Sequence, residues 1–314
     1  MDLMSPFKLS PAFKDYLWGG RKLVTDFNKI CDFDKVAESW ELSTHKDGSS
    51  IISSGDFIGM SFLDYVDKYG KEVLGTNALA FDFFPILIKF IDAKDSLSIQ
   101  VHPDDEYALR VEGEYGKTEM WYILDCEEGA SLYYGFNREI TKDEFLDRIK
   151  NNTILEVLNA VPVKKGDVFF IDSGTVHAIG AGIVICEIQQ NSNTTYRVYD
   201  FDRRDKFGNA RELHIDKAAE VSNLKPATPP SPYSDPETLA ECKYFTVKKS
   251  IVEGSRTFNT DDECFTSVIA VNGAGILKMN NNEIPFSKGD SIFIPAQNGE
   301  YTVTGNAELI ISRV

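Results

Sequence analysis

The sequence predicts a mainly β protein made of two similar β-barrels or sandwiches, the first with helical insertions. Three observations support this fold class. Most of the chain consists of short segments rich in β-branched and aromatic residues, separated by Gly, Asp and Asn, a pattern typical of strands. Helical periodicity is confined to a few places. A Lys-Gly-Asp turn followed by an apolar segment occurs twice, once on each side of a proline-rich stretch.

The first part of the chain alternates predicted strands with two helical insertions. The predicted strands are Ile86–Ala93, Ser96–His102, Met120–Cys126, Ala130–Phe136, Asp167–Asp172, Val176–Gln190 and Thr194–Phe201. Apolar residues at helical spacing predict a helix over Phe62–Leu74, within an insertion at about 61–79. A capping box, Thr141-x-x-Glu144, opens a second predicted helical stretch that runs from Thr141 to Ala160.

A proline-rich stretch divides the chain. Five of the twelve prolines lie between Pro226 and Pro236, which is typical of a linker. We therefore predict a first domain at 1–226, a linker at 227–237 and a C-terminal β domain at 238–314. The predicted C-terminal strands are Phe245–Val252, Phe265–Val271, Gly275–Met279, Ser291–Pro295, Glu300–Val303 and Leu309–Val314.

An internal echo relates the two domains. Lys165–Asp172 resembles Lys288–Pro295, and both read as a tight Gly-Asp turn that leads into a buried strand. This echo favours a duplicated unit and hence two similar β-barrels.

Composition bounds the possible partners. The 314 residues suggest about two domains. The formal net charge of −16 argues against general binding of nucleic acid or of anionic membranes, which both require a basic face. No apolar run reaches the ~18 residues of a spanning helix. The five cysteines are widely spaced and no export pattern is visible, so we expect buried free thiols and a cytoplasmic location. A monomer and a homodimer both remain open.

Four polar residues could converge on one point. Gln100 and His102 are two apart on a predicted strand, so their side chains share a face. Glu119 begins an apolar strand, where a carboxylate is costly unless it is paired or binds a cation. His177 follows the first Gly-Asp turn. Two imidazoles, a carboxylate and an amide oxygen suit a divalent metal, with zinc favoured; the alternative is a polar network without metal.

Other charged residues admit two interpretations. Glu187 and Arg197 could form a salt-bridged sheet, or could place a carboxylate and a guanidinium beside a metal-bound substrate. The cluster Asp202–Lys206 could be a solvated loop or could meet a phosphate. His45 and His214 stand among ordinary polar residues and are expected to be structural or exposed.

The second histidine motif resembles the cupin pattern. Gly166, five residues, Asp172, Gly174 and His177 follow that pattern, with Asp172 in place of its proline. Gln100 stands where many cupins have histidine. The Gln-x-His variant, followed by Gly-Lys-Thr-Glu and later by Glu-Ile-Gln-Gln and Tyr-Arg-Val-Tyr-Asp, resembles the short bacterial form of the class I mannose-6-phosphate isomerases.

Two N-terminal motifs, Tyr16–Gly20 and Glu38–Ser43, also resemble that family. The resemblance covers most of residues 6–210, and the tail after 236 matches only in general character. That tail contains no histidine, which argues against a second metal site there.

The resemblance implies two cupin-like β-barrels or jelly rolls and interconversion of mannose 6-phosphate and fructose 6-phosphate. It implies one zinc ion per chain, held by His102, Glu119 and His177 with Gln100 as fourth ligand. Arg197 matches the catalytic arginine of the family. Lys117 and Glu187 match positions that line the pocket.

We expect the reaction to pass through an enediolate stabilised by zinc and Arg197. Glu187 is the candidate base, with a pKa raised by a partly dry pocket, and Lys117 is a candidate proton relay. Lys117, Arg197 and the 203–206 cluster are the cations available to a phosphate. The competing functions are another metal-dependent cupin enzyme such as an iron oxygenase, a non-catalytic sugar-binding cupin, and a metal-free scaffold.

Overall fold

The computed structural model describes residues 2–204, 207–229 and 231–314. Asp205 and Lys206 of the predicted charged cluster, and Pro230 of the predicted linker, lie outside these residues. The described chain is mainly β and has the fold of the cupin family, as predicted. Within the described ranges, no helix is long and apolar enough to cross a membrane.

The strands follow one another through the whole chain. They are β1 (Phe7–Ser10), β2 (Ala12–Lys14), β3 (Glu38–Leu42), β4 (Ile51–Ile52), β5 (Ile86–Ala93), β6 (Ile99–Val101), β7 (Glu119–Cys126), β8 (Ser131–Phe136), β9 (Leu158–Pro162), β10 (Val168–Ile171), β11 (His177–Ala178), β12 (Ile183–Gln190), β13 (Tyr196–Tyr199), β14 (Thr238–Glu241), β15 (Thr246–Thr260), β16 (Thr266–Met279), β17 (Asn282–Ser287), β18 (Ser291–Ile294) and β19 (Gly299–Arg313). The α-helices are α1 (Lys22–Thr25), α2 (Phe62–Val73), α3 (Asp105–Val111), α4 (Lys142–Lys150) and α5 (Ile215–Val221).

Two open sheets of the first half form the sandwich that contains the site. One has the order β10-β7-β12-β5-β3-β2 and the other the order β13-β6-β11-β8-β9. Trp121 and Ile185 of the first sheet pack in one buried cluster with Leu132 of the second sheet and with Ile179, which directly follows β11 of that sheet. The sheets are therefore packed open layers rather than closed barrels.

The third sheet joins the two ends of the chain. Its order is β14-β15-β19-β16-β18-β1-β4, with β17 paired to β16. Phe7 of β1 lies opposite Phe293 of β18, and their rings stack with centroids 5.3 Å apart. Strands β1 and β4 of the first half thus extend the C-terminal sheet. Three of its strands, β15, β16 and β19, are longer than the predicted segments.

Both Gly-Asp turns are present. Gly166 and Gly289 have φ values of 91° and 97°, a region that favours glycine. In each turn the aspartate accepts a hydrogen bond from the backbone three residues earlier, Asp167 from Lys164 at 2.9 Å and Asp290 from Ser287 at 2.8 Å. The two turns are alike, as predicted, but only the second leads into a buried strand: β18 is buried throughout, whereas β10 is buried only at Ile171.

The second helical prediction is only half right. The Thr141 hydroxyl caps α4 by accepting from the Glu144 backbone N–H at 3.1 Å. The Glu144 carboxylate bonds Arg138 and Arg148 instead of completing the capping box. The helix ends at Lys150 and Asn152 then takes a φ of 55°, so the predicted helix to 160 is wrong; a short 3₁₀ turn and β9 follow.

Two further expectations need correction. The predicted strand Val176–Gln190 is two strands, β11 and β12, because the chain turns at Gly180–Gly182. The five cysteines are free, as predicted, but only Cys186 and Cys264 are buried and the other three are partly exposed.

Candidate active site

Strand pairing places three of the predicted residues side by side on the five-stranded sheet. His177 of β11 lies opposite Gln100 of β6, and Gln100 lies opposite Arg197 of β13. Directly opposed residues on paired strands share a face, so these side chains point into the same space between the sheets. The arrangement follows from three strands that are far apart in sequence.

The six-stranded sheet presents a second row to the same space. Across β7, β12, β5 and β3, Trp121 opposes Glu187, Glu187 opposes Lys89, and Lys89 opposes Trp40. Glu119 begins β7 near this row. The Trp121 and His177 rings meet edge to face at 5.3 Å and join the two rows.

His102, Glu119 and His177 form a compact buried group. Their ligand atoms all lie within 4.8 Å of one another. His177 Nε2 is 3.3 Å from Glu119 Oε1, and His102 Nε2 is 3.7 Å from Glu119 Oε2. A tetrahedron with bonds of about 2.1 Å has ligands about 3.4 Å apart, so this group could hold a metal ion.

The hydrogen bonds around the histidines favour the same interpretation. His102 Nδ1 donates to the Thr194 carbonyl at 2.9 Å, and His177 Nδ1 donates to the Thr175 carbonyl at 2.8 Å. Both Nε2 atoms therefore direct lone pairs towards Glu119. In metal centres, a hydrogen bond from the other ring nitrogen orients the ligand histidines in the same way. Among the described residues, His102 Nε2 and both Glu119 oxygens lack a hydrogen-bond partner although they are fully buried. Such buried atoms require a partner, and a cation fits the donor set.

Gln100 adjoins this group. Its amide nitrogen is 3.3 Å from His177 Nε2. Because the oxygen and nitrogen of an amide exchange places by a half-turn, Gln100 can also present its oxygen to that point. The structure therefore brings together all four predicted ligands.

Burial and neighbouring charges set the protonation of the group. Burial raises the pKa of Glu119, against the pull of the nearby Lys117 ammonium, which lies 3.3 Å from Oε2. Burial also lowers the pKa of His177 to about 4 and that of His102 well below its usual value. Both imidazoles are thus neutral at pH 7, the form that binds metal.

Glu187 behaves differently from the prediction. Burial alone raises its pKa, but the charges of Lys89 and Lys117 outweigh burial and lower it. The expected raised pKa is therefore wrong, and Glu187 is ionised at neutral pH. Its Oε1 accepts from Trp121 Nε1 at 2.9 Å, whereas its buried Oε2 accepts no hydrogen bond from a described residue.

Lys89 is the main residue that the sequence analysis missed. Its ammonium lies 3.4 Å from Glu187 and 3.6 Å from Glu38, and the side chain is buried. Burial lowers its pKa, but these carboxylates more than compensate and raise it, so Lys89 remains a cation. A lysine within the apolar run Ile86–Ala93 was the available signal, because a buried charge needs a partner.

A cavity of about 320 Å³ opens over Lys89, Glu187 and Gln100; the buried His102, Glu119 and His177 lie next to it and do not line it. Its lining includes the sequence-predicted Gln100, Lys117, Glu187 and Arg197, together with Arg211, which sequence analysis did not select. The Arg197 Nη1 donates to the Glu212 carbonyl at 2.8 Å, while its buried Nε donates to no described residue. Arg197 therefore retains donor capacity beside the cavity.

The predicted basic cluster contributes little to this cavity. Arg203 donates to Asp200 and to the Ser96 carbonyl, and Arg204 to the Gly208 carbonyl. Neither lines the cavity, whereas Arg211 lines it and also pairs with Asp200 at 2.6 Å. The cations that line the cavity are Lys89, Lys117, Arg197 and Arg211.

The remaining two histidines have structural contacts. His45 lies 3.4 Å from Glu114 and packs edge-on against Trp40. His214 Nδ1 accepts the Arg197 backbone N–H at 3.1 Å. Neither belongs to the His–Glu–His group.

The fold and the site define a cupin with a candidate metal centre in its first sandwich. Residues 6–129 match the family model of the phosphomannose isomerase type I catalytic domain, and residues 235–314 match the mannose-6-phosphate isomerase cupin domain. The chain belongs to the type I mannose-6-phosphate isomerase family, whose members are aldose–ketose isomerases.

Individual relatives span the whole chain. A mannose-6-phosphate isomerase of Bacillus subtilis is 39% identical over 98% of this chain and 99% of its own. One of Streptococcus mutans is 36% identical over 99% of this chain and 98% of its own. A crystal structure of a mannose 6-phosphate isomerase from Bacillus subtilis superposes with a TM-score of 0.89 at 36% identity, covering 99% of this chain and 100% of that one.

Proposed function

We propose that the protein is a zinc-dependent isomerase that interconverts mannose 6-phosphate and fructose 6-phosphate through an enediolate. The observation that supports this most is the buried group of His102, Glu119 and His177 next to a cavity lined by Arg197, Lys117 and Glu187. Gln100 and Lys117 line that cavity and each lie 3.3 Å from a member of the group. The names of the full-length relatives support the same substrate.

His102, Glu119 and His177 would hold the zinc, one ion per chain, with Gln100 as the fourth ligand. When bound, zinc supplies Lewis-acid polarisation of the substrate carbonyl. The protein groups then account for the proton movements and for the charge that develops on the sugar.

Glu187 is the proposed base. Its buried Oε2, which accepts no hydrogen bond from a described residue and lies 3.4 Å from the Lys89 ammonium, takes the proton from the carbon next to the carbonyl, and the electron pair forms the carbon–carbon double bond of the enediolate. The same carboxyl returns the proton to the neighbouring carbon. Its lowered pKa keeps it ionised and ready to accept a proton at neutral pH.

Two cations complete the proposed mechanism. Arg197 adds fixed positive charge where negative charge develops on the sugar oxygens. Lys117 would move a proton between those oxygens; its position at the cavity and beside Glu119 supports this role. Together with Arg211 they give an acidic protein a locally positive pocket for an anionic substrate.

The division into a catalytic part at 1–226, a linker at 227–237 and a β domain at 238–314 is part of the proposal, although β1 and β4 pair within the C-terminal sheet. So are a cytoplasmic location and a monomer or homodimer that binds neither nucleic acid nor membrane. Size-exclusion chromatography with light scattering separates the two oligomeric states.

A coupled assay on mannose 6-phosphate tests the function. We expect turnover that a chelator abolishes and that added Zn²⁺ restores. Turnover that persists after complete metal removal would refute the zinc dependence. Metal-loaded protein that binds the sugar without turnover would instead indicate a sugar-binding cupin. Iron in the purified protein together with oxygen uptake would indicate a cupin oxygenase.

A Glu187→Gln variant tests the base. The amide keeps an acceptor for Trp121 Nε1 but cannot take a proton, so we expect kcat to fall by about 10²–10⁴-fold with the metal content unchanged. A Glu38→Gln variant, which alters the other carboxylate beside Lys89, is the matched comparison. An equal loss in both variants would assign the effect to Lys89 rather than to a base at Glu187.

A further inference from the structure

A carboxylate that takes no part in the proposed reaction links the two segments that supply Glu119 and His102. Asp105 is the first residue of α3, three residues after His102. Its Oδ1 accepts the Gly116 backbone N–H at 2.9 Å and the Gln190 amide at 2.7 Å. One oxygen therefore fixes the segment before Glu119 to the segment after His102.

We call these contacts of Asp105 with Gly116 and Gln190 the clamp. Further hydrogen bonds extend the clamp to the site. The Lys117 N–H donates to the Pro103 carbonyl at 3.0 Å, and the Thr118 N–H donates to the Gln190 side-chain oxygen at 2.9 Å. A Cβ at Gly116 would lie 2.4 Å from the Asp104 carbonyl carbon, so the two segments are in close contact there. The hydrogen bonds that Asp105 accepts therefore help to fix the backbone position of Lys117 and Glu119.

The other Asp105 oxygen is held by the C-terminal part of the chain. The Tyr244 hydroxyl donates to Oδ2 at 2.6 Å, and the exposed Lys243 ammonium lies 3.5 Å from the same atom. Tyr244 is buried in the turn between β14 and β15. Phe245 anchors this turn against Phe170 of β10, with ring centroids 6.3 Å apart.

We propose that Tyr244 is a positioning residue that acts through Asp105 to hold Lys117 and Glu119 in place. The C-terminal domain thereby contributes one hydrogen bond that helps to keep the active-site backbone ordered. The kinetic consequence rests on the proposed isomerase function, but the effect on backbone order does not.

The test compares Tyr244→Phe with Tyr122→Phe. Each change removes one hydroxyl that reaches across to another part of the chain, because Tyr122 donates to Glu308 of β19. Only Tyr244 touches the clamp. For Tyr244→Phe we expect kcat to fall by about 10-fold with KM within about twofold, and zinc to be lost to a competing chelator more readily. Tyr122→Phe should change neither.

Hydrogen exchange of the zinc-free protein gives a readout without catalysis. Peptides that cover 113–119 should exchange faster in Tyr244→Phe than in the parent or in Tyr122→Phe, because the Gly116 amide loses a fixed acceptor. In a double-mutant cycle, Asp105→Ala should remove most of the effect of Tyr244→Phe on kcat and on exchange.

Equal losses in both tyrosine variants, additive effects in the cycle, or unchanged exchange at 113–119 would overturn the positioning role. Faster exchange in a protein with no isomerase activity would support the clamp while refuting the proposed function. The two ideas can therefore fail separately.

Discussion

His177 Nε2 lies 3.3 Å from Glu119 Oε1 although the two residues belong to different sheets. Glu119 begins β7 of the six-stranded sheet, and His177 begins β11 of the five-stranded sheet. The group that could hold a metal therefore spans the sandwich. A bound ion would tie the two layers together as well as serve the reaction.

His102→Ala should remove both metal and activity. Only one imidazole, the Glu119 carboxylate and the weakly binding Gln100 amide then remain, which is too few strong ligands for tight binding, and a buried carboxylate is left without its cation. Elemental analysis of purified protein should show metal close to one per chain in the parent and near zero in the variant. His214→Ala, a change at a histidine outside the group, should retain its metal. A His102→Ala variant with wild-type metal content would refute the ligand assignment.

Arg197→Ala should keep its metal and its fold but lose rate. Losing one preorganised donor to developing negative charge costs about 2.7–4 kcal/mol of transition-state stabilisation, or roughly 10²–10³ in kcat. Arg110→Ala, at an exposed arginine on α3, controls for the loss of a positive charge. Loss of zinc from Arg197→Ala would indicate that this residue supports the metal group instead.

Sequence reasoning selected Gln100, His102, Glu119 and His177 because motif spacing and strand alternation are local patterns that can be read from a single sequence. It missed Lys89 as a site residue because its role depends on the register that sets it opposite Glu187. It also gave Glu187 the wrong pKa direction, since the charges of Lys89 and Lys117 together outweigh the effect of burial.

The fold, too, could be predicted where the sequence signal is local, but not where it depends on tertiary contacts. Strand β5 has the predicted bounds, Ile86–Ala93, because an apolar run interrupted only by Lys89 and Asp92 marks a buried strand. Pairing of β1 with β18 could not be inferred, because it depends on contacts between opposite ends of the chain. The helix predicted over Thr141–Ala160 stops at Lys150 because residues 158–162 pair with β8, a tertiary contact that overrides local periodicity.

Lys29→Met should be strongly destabilising. The Lys29 ammonium lies 2.7 Å from the fully buried Glu41 and also donates to the Gly289 carbonyl at 2.5 Å. Removing one partner of a buried pair costs about 3–5 kcal/mol, because the other charge stays buried alone. Chemical unfolding should show a smaller loss for Lys29→Met combined with Glu41→Gln than for Lys29→Met alone. A double variant less stable than the single one would contradict this account.

Acid should weaken the protein partly through Glu114. The nearby His45 imidazole, the Lys46 ammonium and the Asn193 backbone N–H lower the pKa of Glu114 to about 2. Its contribution is thus fully present above about pH 4.5, the usual value for a glutamate, and is lost as the pH falls towards 2. The Tm difference between the parent and Glu114→Gln should shrink over that interval. The exposed Glu128→Gln should show no such trend, and a pH-independent Glu114 difference would refute the assignment.

The two equivalent glycine turns should respond differently to the same substitution. Both glycines have φ above 90°, so alanine at either position strains the backbone by about 1–2 kcal/mol. A Cβ at Gly166 would meet nothing within 4 Å, whereas at Gly289 it would lie 2.0 Å from the Phe27 carbonyl oxygen. Gly289→Ala must therefore also displace the Phe27 backbone, and with it the neighbouring Lys29 contact to the Gly289 carbonyl. We expect Gly166→Ala to lower the free energy of unfolding by no more than about 2 kcal/mol, and Gly289→Ala by at least twice as much. Equal losses in the two variants would show that backbone strain alone, and not the Phe27 contact, determines the cost.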